Sequence, residues 1–223
     1  MIRQLRRTAA GVVAAGTMLA GLTACAAPSF TYAADTTDQA YFKVPAQWQQ
    51  VSTQAVATVQ QALLSKSAAG SAGGTFDWSR AYAATAHPSL YSLLAGSQTP
   101  VVYASVQDLS PSLRDALSFN YMRDLLFPVT AQARQTATSE GSTLTGFNLV
   151  SSTTITTKDG VRGINELFEY NIGGQPDAFD QTVLTTSSTT KLYLLLVQCY
   201  QGCFVSHEAQ IRAVVDSFTV RGN

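Results

Sequence analysis

Residues 147–199 read FNLVSSTTITTKDGVRGINELFEYNIGGQPDAFDQTVLTTSSTTKLYLLLVQC, and this run decides the fold. Phe147 to Thr157 is β-branched and threonine-rich, and Lys158-Asp159-Gly160 is a hairpin turn signal. Val161 to Ile172 returns as the partner strand, with Ile164, Leu167 and Tyr170 among its apolar positions. Gly173-Gly174-Gln175-Pro176 is a loop, and Phe179 to Thr186 and Lys191 to Cys199 form a second hairpin around Ser187-Ser188-Thr189. Leu192 to Val197 is nearly continuous apolar sequence, so this strand is expected at the centre of a sheet, covered on both faces.

Working outward, Tyr41-Phe42-Lys43-Val44-Pro45 reads as a first strand, with Trp48 and Val51 just after it. Gln54 to Ser65 has helical spacing (Ala55, Val59, Ala62, Leu63), with Ser52 or Thr53 to cap it. Ser65 to Thr75 is a Gly/Ser-rich insertion, and Phe76 to Leu94 is aromatic-rich and irregular. Val101 to Val106 alternates as a strand. Ser110-Pro111 announces a helix whose apolar face runs from Leu113 to Leu126. Pro128 ends it, and Val129 to Thr138 reads as a second helix. Ser206 to Val215 is a last helix, and Ser217 to Val220 a last strand. The sum is an α+β fold, a mostly antiparallel sheet flanked by helices, in a single domain over 41–223.

The N-terminus speaks of address. Arg3, Arg6 and Arg7 precede an apolar, Ala- and Gly-rich run to Ala24, the order of a secretory signal and too short to span a bilayer comfortably. Leu22-Thr23-Ala24-Cys25 closes it and resembles the lipobox of bacterial lipoproteins. That resemblance implies a signal peptide over 1–24, a diacylglyceryl group on Cys25, and anchorage at the outer face of the bacterial cell membrane. The alternative is a plain signal peptide cut after Ala24, Ala27 or Ala34. Arg6-Arg7 is followed by Thr-Ala-Ala rather than a bulky apolar residue, which favours the general secretory route over twin-arginine export. Residues 25–40, polar and Pro-containing, read as a tether between lipid and domain.

Removing the signal takes three arginines and no acid from 14 basic and 14 acidic residues, leaving a net charge of −3. That balance, without a basic patch, argues against a nucleic-acid partner. Cys199 and Cys203, separated by Tyr-Gln-Gly, suit a disulfide in an exported compartment, where so small a loop contributes about 2 kcal/mol. Gly202 supplies freedom for a tight turn between the sulfurs. The alternative is a redox pair, although thioredoxin-type centres use two intervening residues.

Several short motifs resemble one family. Phe42-Lys43-Val44-Pro45 with Trp48 is similar to the "F-x-V-P-x-x-W" opening of PsbP-like proteins. Asp159-Gly160 and Glu166-Leu167-Phe168-Glu169-Tyr170 fall where that family has a hairpin. Lys191-Leu192-Tyr193-Leu194 resembles its "K-L-Y-x-L" strand, and Val215-Asp216-Ser217-Phe218-Thr219-Val220 its closing "I-x-x-S-F-x-V". The likeness extends to LpqN-type lipoproteins of high-GC Gram-positive bacteria. It implies the PsbP-like fold and a non-enzymatic protein that docks to partners, as PsbP does to photosystem II and a nuclear-transport relative to a small GTPase. Neither partner transfers, and no family binding residue matches this sequence.

Catalytic patterns are thin. His87-Pro88 and His207-Glu208 lack partners at metal-ligand spacing, and Ile211 stands where a zinc-protease helix has its second histidine. Glu166 and Glu169 fall on opposite faces of a strand, which suggests edge-strand solubility rather than a paired-carboxylate site. Gly-x-Ser-x-Gly is absent, and Gly70 to Gly74 precedes no phosphate-binding unit. The expectation is therefore no enzyme, no metal and no cofactor. Two readings remain open. In one, the domain binds a cell-envelope partner through an exposed aromatic patch built from Phe76, Trp78, Tyr82 and Tyr91, residues that otherwise serve as core. In the other, it carries a lipid or small apolar ligand in a deep cavity.

Overall fold

The computed structural model describes residues 28–64, 75–89 and 96–221. The signal segment, Cys25, the Gly/Ser run 65–74 and Tyr91 lie outside the described residues. The α+β layout is as expected. A seven-stranded antiparallel sheet runs in the order β3 (Gln49–Gln50), β4 (Thr75–Ala83), β5 (Val101–Asp108), β9 (Lys191–Tyr200), β8 (Gln175–Thr185), β7 (Arg162–Ile172), β6 (Thr145–Thr156). A smaller antiparallel sheet has the order β1 (Phe30–Asp35), β2 (Ala40–Pro45), β10 (Thr219–Val220).

Strand β9 is central and feeds two cores. Leu192, Leu194 and Leu196 point into one, with Ile164, Phe168 and Phe179 from the neighbouring strands. That core is covered by Val56 of α1 (Thr53–Leu64), Leu113 of α2 (Pro111–Ala116), Met122 of α3 (Phe119–Arg123), and Leu125 and Phe127 beyond it. Leu195 and Val197 point the other way. They meet Phe42 and Val44 of the small sheet, Phe204 of α5 (Gln201–Ser206), and Ile211 and Val214 of α6 (Glu208–Val215). The remaining helix, α4 (Ala131–Ser139), starts at Thr130, whose side chain accepts from the Ala133 N–H.

Four local expectations are corrected. Residues 25–40 were expected as a tether, but Phe30–Asp35 forms β1, paired along its whole length with β2. Its inward side chains are small and its aromatic ones face out, so it lacks the pattern of a core strand: Ala33 is buried while Thr31, Tyr32 and Ala34 are exposed. The "irregular" segment from Phe76 begins as strand, since β4 runs from Thr75 to Ala83. Its register slips between Phe76 and Trp78, a bulge at Asp77 that hides the alternation. The helix expected from Ser110 to Leu126 is two short helices, because Ser118 caps the second by accepting from the Tyr121 N–H. Gly202 is not in a turn but in α5, so Cys203 sits in the first helical turn after β9.

Ser110 caps α2 with Pro111 following, and Ser52 accepts from the Ala55 N–H at the start of α1. Gly160 takes φ +83° in the β6–β7 hairpin, where an L side chain would be strained. At Gly163 a Cβ would come 1.9 Å from the Val183 carbonyl oxygen, so glycine lets β8 lie close.

Two ion clusters tie the layers. The Lys191 ammonium meets Asp38 at 3.0 Å, Asp108 at 2.8 Å and the bulged Asp77, joining the small sheet's turn to three strands of the large one. These contacts raise the Lys191 pKa against the opposing pull of desolvation, and the Lys191 hydrogen bond holds the Asp108 carboxyl below its usual range. Glu166 is fully buried, bonded to the Arg123 guanidinium at 3.0 Å and to the Ser152 hydroxyl at 2.9 Å. It therefore does not serve edge solubility: β7 lies between β6 and β8, and Glu166 points into the helix-covered core. Replacing Lys191 by Met would leave Asp38 buried without a counter-ion, and should lower stability by about 2 kcal/mol in urea titration at pH 7. The loss should shrink in acid, as the carboxylates protonate and no longer need the cation.

Candidate functional site

The helices on the second face cover β9 and part of β8 but stop short of β7 and β6. What remains is a groove of about 470 Å³ between the sheet and α5–α6. Its floor is Leu167 and Ala178 with Asn165 and Asp180, and its helical wall is Phe204, Val205, Ile211, Arg212 and Val215. The far wall comes from β6 through Val150 and Ser151. Adjacent residues of a regular strand face opposite ways, so both reach the groove only because the β6–β7 register slips between Leu149 and Ser151. A second cavity of about 430 Å³ shares Asn165, Val215 and Asp216 with the first and extends the groove to Thr219 and Val220 of β10.

The groove mixes apolar side chains with acids, one of them, Asp180, on its floor. Glu169, Asp180, Glu208 and Asp216 line it, and the one lining cation, Arg212, is bonded to Glu208 at 2.6 Å. Glu169 is held in place by Asn148 (3.0 Å) and Gln201 (2.8 Å). Asp180 accepts from the Asn165 amide at 2.6 Å, and that amide also donates to Thr182. Burial pushes the Asp180 carboxyl up to about 6; the Asn165 bond pulls it down and the nearby Asp216 charge adds to the rise. At the rim Val150 is 52% exposed and Val205 71%, large apolar side chains left in water.

The chain matches no family model and no curated protein. Solved structures similar to it include the solution structure of a cyanobacterial PsbP from Synechocystis, at 13% identity over 91% of this chain and 98% of that one, with a TM-score of 0.48. LpqN of Mycobacterium tuberculosis, described as involved in cell envelope biogenesis, is similar at 12% identity over 82% and 83% of the two chains, with a TM-score of 0.43. The Ran-binding protein Mog1p of Saccharomyces cerevisiae is similar at 9% identity over 86% and 96%, with a TM-score of 0.42. The first two are of the kind the sequence motifs resemble.

Of the aromatic residues singled out in the sequence, Phe76, Trp78 and Tyr82 are among the described residues. Tyr82 is buried in the second core, edge-to-face with Phe42 at 6.0 Å. Trp78 is half-buried against the same ring at 6.3 Å, and Phe76 is half-buried beyond the bulge. Tyr82 and Trp78 thus do what core aromatics do, and the three do not form an exposed patch. Cys199 and Cys203 stand at disulfide distance with Cα atoms 6.0 Å apart, joining the end of β9 to α5, the helix that carries Phe204 and Val205. His87 is exposed; His207 lies between α5 and α6 with its Nδ1 3.0 Å from the Cys203 carbonyl. Among the described residues, no group of three or more His, Cys, Asp or Glu is placed to hold a metal.

Glu166 and Glu169 do lie on opposite faces, one in the core and one in the groove. Sequence reading missed Asp180, Asn165 and the β6 bulge. Counting back from the Gly173-Gly174 turn pairs Asn165 with Thr182 and Leu167 with Asp180, the register observed. That count was open to a reader of the sequence; the bulge was not.

The raised Asp180 pKa makes a pH prediction. A carboxyl raised in the folded state favours folding while protonated, so its destabilising effect grows from about pH 4 and is complete above about 6. Asp180→Asn should match the parent at pH 4 and exceed it at pH 7.5 by on the order of 2 kcal/mol in chemical denaturation.

Proposed function

We propose that this chain is a lipid-anchored extracytoplasmic lipoprotein whose domain binds an apolar, basic segment of a cell-envelope protein in the groove between β6–β8 and α5–α6. The groove itself supports the reading: apolar side chains on its floor and helical wall, an excess of carboxylates over its single paired cation, and two exposed valines at the rim. Such a surface gives a partner's aliphatic side chains a place to leave water, and gives a lysine or arginine a carboxylate to meet. Asp180 is the residue that would carry that charge pairing, since it is the carboxyl most withdrawn from solvent in the groove. Binding a cation there would return its pKa toward the usual range. The carrier reading needs a deep, enclosed apolar cavity, whereas this groove is open at its valine rim and lined by four acids. The anchor follows from the Leu22-Thr23-Ala24-Cys25 motif and places the domain outside the cell, where a Cys199–Cys203 bridge persists.

Two experiments test the reading. Intact mass of the detergent-extracted protein should equal residues 25–223 plus a diacylglyceryl group, and Cys25→Ala should remove that added mass; a leader cut elsewhere with no lipid sinks the anchor. For the groove, a short Leu-Lys-Leu peptide titrated against the isotope-labelled protein should shift the amides of Val150, Asp180, Val205 and Val215. The Leu-Glu-Leu counterpart should bind at least about tenfold more weakly, and Asp180→Asn should remove most of the difference. Equal affinity for the two peptides, or shifts away from the groove, overturns it.

A further inference from the structure

The three-stranded sheet has one face in the core and one in solvent, and the two differ sharply in chemistry. Ala33, Phe42, Val44 and Val220 point inward and are buried. The register places Phe30, Tyr32, Tyr41 and Lys43 on the opposite face, with Thr219 beside Tyr41. Arg221, just past β10, reaches over the Tyr41 ring at 5.6 Å, and Lys43 lies over the Phe30 ring at 4.5 Å. Tyr32 is 75% exposed. This outer face holds three aromatic rings and two cations, and no carboxylate lies among those positions. Asp38, at the turn, is turned inward to Lys191, and Asp35 accepts from the Thr37 N–H at the end of β1. A basic aromatic face on a domain of net negative charge is a local exception that calls for a reason.

The position of the chain's anchor supplies one. Strand β1 starts at Phe30, five residues after Cys25, and five residues reach at most about 17 Å when fully extended. We propose that the outer face of the β1–β2–β10 sheet lies on the anionic surface of the bilayer, with Tyr32, Tyr41 and Phe30 at the headgroup level and Lys43 and Arg221 against lipid phosphates. The inference rests on the lipid anchor at Cys25. Tyrosine suits that depth because its ring is apolar and its hydroxyl is wet. Lysine and arginine bury their stems and keep their charges at the phosphates. The two cation–π contacts hold the charges over the rings, where both can meet the same surface.

The full chain, made in a lipoprotein-processing bacterium with benzoylphenylalanine at position 32 or at position 205, tests this in intact membranes. Position 32 is exposed, so the replacement should leave the fold unchanged, checked by an identical thermal melt. On irradiation, phospholipid adducts at 32 should exceed those at the groove rim, 205, by at least about tenfold, and Lys43→Gln or Arg221→Gln should each cut them about fivefold. Equal lipid labelling at 32 and 205, or protein adducts at 32, overturns the docking face. The mass of the unirradiated protein reports the anchor separately. A chain without lipid on Cys25 removes the anchor reading, and if position 32 then gives no phospholipid adduct the docking face falls as well.

Discussion

Strand β9 carries apolar side chains on both faces from Leu192 to Val197, and a strand of that kind requires two covers. The demand explains why the chain builds two layers on unlike principles. One face receives α1 and the run of short helices and loop from Leu109 to Val129. The other receives the small sheet together with α5 and α6. Neither cover spans seven strands. The second ends over β8, so the polar face of β7 and the whole of β6 are left at the surface, and the groove is the space where coverage stops. The candidate site is thus a by-product of packing at the edge of the sheet.

Burial of charge follows the same geometry. Glu166 sits where the helical cover begins, and it is tolerated because Arg123 and Ser152 both reach it. Gln181, beside it in register, donates to the carbonyls of Met122 and Arg123, so β7 and β8 fasten α3 at two adjacent points. On the other face Lys191 gathers carboxylates from the β1–β2 turn, β4 and β5. A small sheet with few large inward side chains needs such a fixing point. Breaking one partner of either cluster costs more than the pair's net worth, because the other charge stays buried.

The parts of the fold that were legible in sequence share one property: a strong signal carried by neighbouring residues. The two hairpins could be read from β-branched runs on either side of the Asp159-Gly160 and Ser187-Ser188-Thr189 turns, β9 from its continuous apolar run, and the capping of α2 from Ser110-Pro111. The parts that were not legible involve long-range pairing or broken alternation. Strand β1 buries only Ala33 and turns its aromatic rings outward, so it exists because β2 offers it hydrogen bonds. Strand β4 is masked by its bulge at Asp77, and α5 by a glycine that reads as a turn. For the site, the face assignment of Glu166 and Glu169 was readable, but their environments were not. Burial of Glu166 depends on Arg123, 43 residues away, and the groove depends on how far α6 extends across the sheet.

Strand β6 has a consequence for how such a protein can change over time. Ten of its twelve residues are exposed, and it serves the interior through Phe147, Ile155 and the Ser152 bond to Glu166. Serine and threonine on both faces, with a bulge at its centre, keep so open an edge from recruiting another chain's strand. Away from those three residues this wall can accept substitutions at little thermodynamic cost. The shape and charge of the groove wall are therefore free to drift while the two cores behind it stay fixed, so the groove surface and the folding of the domain are set by largely separate groups of residues.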